Sequence, residues 1–270
     1  MTRPIRIAVQ LNPAGVPDYA TWRRSVLRAE ELGADVIFGY DHFYSPRGEL
    51  PGAAPVEPGS PEDSNFEGWT SLAAWGEITT RAEIGLLVTG IAFRNPDLLA
   101  DMARTVDHIS DGRLILGLGA GWFEREYLAY GYEFGTVKTR MDLFDEGLSR
   151  IVRRLELLNP PPVRQIPILI GGSGEKRTLP AVARYADIWH SKLPIDAYRA
   201  ATARVDDLAQ NSGRAGDEIE RSVSWEGEAA SDEYRDAGAT LFIIELWSDR
   251  GGFDFTTLEQ MLKWRDARSG

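Results

Sequence analysis

Short runs of apolar residues alternate along this chain with longer stretches whose apolar positions return every third or fourth residue. Eight runs stand out, at 5–10, 35–39, 84–89, 114–118, 166–171, 187–190, 221–225 and 240–245. They are brief and nearly continuous, as strands covered on both faces are. The helices between them mark their own ends. Tyr19, Trp22, Val26 and Ala29 share one face, with Asp18 placed to cap the start and Gly33 to stop the end. Asn95-Pro96 opens another, a capping side chain followed by the first helical position, where proline is tolerated. Its apolar stripe of Leu98, Leu99, Met102, Val106 and Ile109 closes at Asp111-Gly112. Eight strand–helix units in 270 residues predict an α/β fold, a single-domain (β/α)8 TIM barrel spanning 1–270. A doubly wound open sheet is the structural alternative, and the absence of a composition break favours closure.

The regular spacing fails once, at 45–65, where five prolines and several glycines follow the second strand. A loop this long inside a compact domain is either functional or disordered. After strand 2 of a barrel it would overhang the C-terminal mouth, where active sites lie, so it reads either as a lid or pocket wall or as a disordered insertion.

Composition narrows the partners. There is no cysteine, which excludes disulfides, thiolate metal sites and cysteine nucleophiles, and fits a reducing compartment. The first ten residues are strand-like and lack the charged, apolar, small-residue order of a secretion signal, and no run approaches membrane-span length. These features lead to the expectation of a cytoplasmic protein. A net charge of −11 argues against a nucleic-acid surface and against anionic membrane, leaving a small molecule as the expected partner.

Three places could carry chemistry. The strand at 114–118 breaks up into Gly117, Gly119, Ala120 and Gly121, followed by Trp122, Phe123, Tyr127, Tyr130, Tyr132 and Phe134. Glycines at a strand end let a flat ligand lie against bare backbone, and aromatics can wall a planar ring; a tight turn with aromatic core behind it is the other reading. The second place is Tyr40-Asp41-His42-Phe43, at the end of the second strand. The chain has three histidines, and His42 and His190 both fall at strand ends facing the mouth, where an imidazole can hold or move a proton. Asp41 could equally cap a loop with His42 packed beneath the insertion. The third is Gly171-Gly172-Ser173-Gly174-Glu175-Lys176-Arg177, where a strand ends and a helix starts. Backbone N–H groups at such a junction form an anion site, which Ser173 and a neighbouring cation can reinforce; a plain turn is the alternative. No HxH, HExxH or cysteine suggests a metal site, and no GxSxG elbow suggests a serine hydrolase.

Taken together, the segments AEELGADVIFGYDHF, VTGIAFRNPDLLADMARTVDHISDGRLILGLGAGWFEREYLAYG and IPILIGGSGEKRTLPAVARYADIWH resemble the luciferase-like monooxygenase superfamily, specifically its coenzyme F420-dependent oxidoreductase branch. The resemblance covers about half of the chain. It implies a TIM barrel holding a deazaflavin or flavin ring in its mouth, with coenzyme F420 as cofactor and FMN as the alternative. It implies a non-prolyl cis peptide near Leu86-Leu87, just before Val88 and Thr89, and a cofactor site made of Asp41, Leu87, Val88, Thr89, Gly119, Ala120, Gly121, Trp122, Gly171, Gly172, Ser173, Gly174 and Glu175. Asp41 would bond the ring edge, the Gly171 turn would grip phosphate, and His42, supported by Asp41, would be the proton donor or acceptor. The expected activity is hydride transfer to or from a small organic substrate. An FMN-dependent monooxygenase and a non-catalytic flavin- or F420-binding protein are the rivals. Sugar-phosphate dehydrogenases of the branch carry Glu where Trp122 stands, and the short connection between 158 and 168 leaves a homodimer allowed but its geometry open.

Overall fold

The computed structural model describes residues 3–46, 64–248 and 251–268. The loop expected to act as a lid falls mostly at 47–63, outside the described residues.

Each apolar run becomes a strand, in order β1 (Arg6–Asn12), β2 (Val36–Gly39), β3 (Glu83–Leu86) with the two-residue β4 (Thr89–Gly90), β5 (Leu114–Gly119), β6 (Ile168–Gly171), β7 (Ile188–Ser191), β8 (Glu220–Ser224) and β9 (Leu241–Trp247). Every pairing is parallel, and the circle closes because β1 pairs with both β2 and β9 while β5 pairs with both β3 and β6. β3 and β4 are two halves of one barrel strand, interrupted at a cis Leu87-Val88 peptide. The bond lies one residue beyond the expected Leu86-Leu87.

Around the barrel run α1 (Tyr19–Leu32), α2 (Gly68–Ile78), α3 (Pro96–Ile109), α4 (Glu124–Ala129), α5 (Val137–Leu157), α6 (Thr178–Tyr185), α7 (Ile195–Asn211), α8 (Glu228–Asp236) and α9 (Thr256–Asp266). The expected caps are in place. Asp18 accepts from the Thr21 N–H at 2.6 Å, Gly33 ends α1 in the left-handed region at φ 110°, and Asn95 accepts from Asp97 N–H at 2.9 Å ahead of Pro96. One helical expectation fails: Leu98 is half exposed, and Ala100 and Ala103 take core positions beside Leu99 and Val106. Small residues on that face let α3 sit close to the barrel. No helix among the described residues is long and apolar enough to cross a membrane.

Two cores result from the strand pleat, which sends successive side chains to opposite faces. Ile7, Val9 and Leu11 of β1, Ile37 of β2 and Phe242 of β9 face the helices. Ala8, Val36, Phe38, Ile115, Leu169, Ile188, Leu241 and Ile243 plug the barrel interior. Below this plug, at the N-terminal end, Arg6 bridges Glu83 and Glu220, and Arg164 reaches the other Glu83 oxygen at 2.5 Å.

Candidate functional site at the C-terminal mouth

Above the plug the same pleat continues but the chemistry changes. Counting by twos from Ala8 reaches Gln10 and Asn12; from Phe38, Tyr40; from Leu169, Gly171; from Ile188, His190; from Ile243, Glu245 and Trp247. All of these line a cavity of about 470 Å³ at the barrel mouth. Asp41, His42, Leu87, Val88, Gly119, Ala120, Gly121, Trp122, Gly171, Gly172 and Ser173 line it too, so the structure brings three distant sequence segments to one place.

Thr89, Gly174 and Glu175 do not line this cavity. Thr89 is turned into the helix layer, where its hydroxyl accepts the Trp69 indole N–H at 3.1 Å. Gly174 has entered the turn that leads into α6, and its carbonyl accepts from Leu179 N–H. That helix starts at Thr178, three residues after Glu175, with no side-chain cap from Arg177. Gly172 is also committed: its N–H donates to the His190 carbonyl at 3.1 Å, and its own carbonyl accepts the Trp189 indole N–H at 2.7 Å. Arg177 is paired with Asp142 and Asp145. The anion donors on this turn therefore narrow to the N–H groups of Ser173 and its followers, the Ser173 hydroxyl and the exposed Lys176.

The glycine-rich strand end has a packing cause that the sequence pattern does not reveal. A Cβ on Gly117 would lie 2.0 Å from the Leu86 carbonyl oxygen, and one on Gly119 would lie 2.6 Å from Val88 Cγ2. These glycines make room for the kinked third strand, and Leu87 and Val88 in turn present apolar surface to the cavity. Gly121, at φ 80°, lies against the Tyr127 hydroxyl. The aromatics behind are not the expected walls. Tyr127, Tyr130, Tyr132 and Phe134 pack with Phe43 and Phe93 in a cluster of their own, while Trp122 stays half exposed at the cavity rim.

The expected support of His42 by Asp41 is corrected. Asp41 is buried and gives both oxygens to Arg94, at 2.5 and 2.9 Å, and Arg94 also bonds Glu67 at 2.9 Å. Burial pushes the Asp41 carboxyl up to about 6, against the pull of the Arg94 guanidinium. The partner of His42 is Glu126 of α4, whose Oε1 lies 2.9 Å from His42 Nδ1. Glu126 Oε2 accepts from Phe43 N–H, also at 2.9 Å. The ring of His42 stands edge-on to Tyr40, Trp122 and Phe123. Glu126 and Arg94 went unnoticed in the sequence because each sits on an element distant from the residue it meets. The available signal was a buried-face Glu in α4, on a helix of six residues.

Across the mouth, His190 is buried, and burial with Lys192 nearby pushes its imidazole down to about 3, so it is neutral. Its Nδ1 lies 3.0 Å from the Ser222 hydroxyl, while its Nε2 has no partner among the described residues. The Asn12 amide, also buried, lacks a partner for either of its atoms there. His108 is away from the mouth on α3, bonding the Pro161 carbonyl.

A luciferase-like monooxygenase family model matches residues 2–237. A putative coenzyme F420-dependent oxidoreductase of Mycobacterium tuberculosis is 27% identical over 221 residues, covering 72% of this chain and 56% of that protein. The chain thus spans little more than half the length of that relative. An F420-dependent glucose-6-phosphate dehydrogenase of Intrasporangium calvum is 29% identical over 268 residues, covering 89% of this chain and 72% of that protein. Among solved structures, an F420-dependent secondary alcohol dehydrogenase in complex with an F420–acetone adduct superposes with a TM-score of 0.75 at 14% identity, covering 90% of this chain and 93% of the other, a likeness of fold.

Proposed function

The chain belongs to the luciferase-like monooxygenase family, and from that premise we propose that it is an oxidoreductase that uses coenzyme F420 to pass hydride to or from a small organic substrate. One observation carries the reading: the apolar side chains of Leu87 and Val88 and the imidazole of His42 line the same cavity. The residues present fit a deazaflavin. Leu87 and Val88 offer flat apolar surface, Gly119 and Gly171 keep the space beside Val88 clear, and the partnerless atoms of Asn12 and His190 can meet the heteroatoms of a ring edge. Ser173 is placed to meet an anionic tail.

When bound, the cofactor supplies two-electron hydride chemistry. The chain supplies the rest. Trp122, half exposed at the rim, offers aromatic surface at the edge of the mouth. His42 holds or accepts the proton that accompanies hydride transfer to a polar atom, within a ring position fixed on three sides by aromatics. Arg94, by occupying Asp41, keeps that carboxylate from competing for the imidazole.

Fluorescence titration of the purified protein with F420 and, separately, with FMN tests the cofactor. The expected result is saturable F420 binding with FMN at least about tenfold weaker, a gap of about 1.4 kcal/mol. FMN binding the more tightly would overturn the reading in favour of a flavin enzyme.

A further inference from the structure

Glu126 is a buried carboxylate, its side chain 1% exposed, and it touches two groups on the loop after β2. A backbone N–H always donates, so the oxygen facing Phe43 is an acceptor. An ionised carboxylate is acceptor-only, so with Glu126 in that form the oxygen facing His42 requires the proton on Nδ1. That leaves Nε2 as the one imidazole nitrogen able to face the cavity, bare in the neutral ring. Edge-on contacts with Tyr40, Trp122 and Phe123 hinder the ring from flipping to exchange the two nitrogens. We propose that Glu126 is a positioning residue that fixes the His42 tautomer, so that Nε2 presents a lone pair to the substrate side of the mouth and Nδ1 never does.

The proposal reaches beyond naming His42 as the proton carrier, because it assigns each ring nitrogen a direction and makes α4 part of the site. The charged groups that face the imidazole from the elements around it include Glu126 from α4, in direct contact, and Asp41 from the same loop, already held by Arg94. With Asp41 occupied, Glu126 is the carboxylate that decides the tautomer. Its effect on turnover rests on the proposed function; its effect on the ring proton does not.

The chain has three histidines, so histidine-labelled protein gives a nitrogen-15 spectrum in which His42 can be assigned by its loss in His42→Gln. At alkaline pH, where a histidine ring is neutral, wild-type His42 should carry its proton on Nδ1. Finding it on Nε2 overturns the proposal without any variant. In Glu126→Gln the Phe43 N–H still claims the oxygen, so the amide turns its NH2 toward Nδ1 and the proton moves to Nε2. Turnover should then fall at least about 10-fold and up to roughly 10⁴-fold, as when a carboxylate-to-amide change imposes the wrong histidine tautomer, with KM within about twofold. An unmoved tautomer in Glu126→Gln, or a moved one with wild-type kcat, refutes the assignment. Failure of F420 to bind at all would instead sink the proposed function while leaving the wild-type tautomer result standing.

Discussion

The two ends of this barrel both bury polar side chains and put them to opposite uses. At the N-terminal end Arg6, Glu83, Glu220 and Arg164 are joined in one network, and Arg6 is held charged by its two carboxylates although burial works against it. At the C-terminal mouth the Asn12 amide and His190 Nε2 are buried without partners among the described residues. A buried polar group left unpaired costs about 1–3 kcal/mol, so one end stabilises while the other tolerates instability. The lesson is that polarity does not mark a site in this fold. At the mouth it comes with unmatched polarity, where the strand pleat passes from the Ala8–Ile188 layer to Gln10, Asn12 and His190, although unpaired buried atoms such as Arg164 Nε occur elsewhere among the described residues as well.

The largest break in that contrast comes from His42→Ala. If the imidazole holds the reacting proton, turnover should drop about 10²–10⁴-fold, while F420 affinity and melting temperature change little. Single-turnover rates and thermal melts on the same preparation check it. A rate within about threefold of wild type, well short of a general acid–base effect, would remove His42 from the mechanism.

The opposite signature belongs to the N-terminal end. Arg6→Met takes the shared cation from Glu83 and Glu220 in a largely buried place, leaving Arg164 on Glu83. Breaking one partner out of such a network should cost about 2–4 kcal/mol in a denaturant titration, somewhat below the full range for a wholly buried pair because Arg6 is partly solvated. F420 affinity should be unchanged. A variant that binds F420 poorly yet melts normally would show that the two ends are not separable in this way.

What could be read from the chain follows from how local each signal is. All eight strands and both capped helices came from patterns within about 15 residues, because pleat, caps and proline preferences act at that range. The mouth was found for the same reason: Gly119, Gly171 and His42 stand at strand ends. What escaped was pairing. Asp41 looked like the partner of its neighbour His42, but Arg94 and Glu126, 53 and 84 residues away, took them instead. Likewise the packing role of Gly117 and Gly119 against Leu86 and Val88 is invisible in the sequence, although Gly119 also lines the cavity.

The gentlest test of the contrast is Asn12→Leu. Leucine is close to asparagine in size and brings no polar atom, so replacing a buried amide that has no partner should leave stability unchanged or raise it by about 1 kcal/mol. At the same time the mouth loses one donor and one acceptor, and F420 affinity should fall about tenfold, one hydrogen bond's worth. Gain in melting temperature together with loss of affinity is the signature of a residue retained for binding at the expense of stability. A variant that melts lower would mean that the Asn12 amide is satisfied in the folded protein, and the unmatched wall of the mouth would then shrink to His190 alone among the described residues.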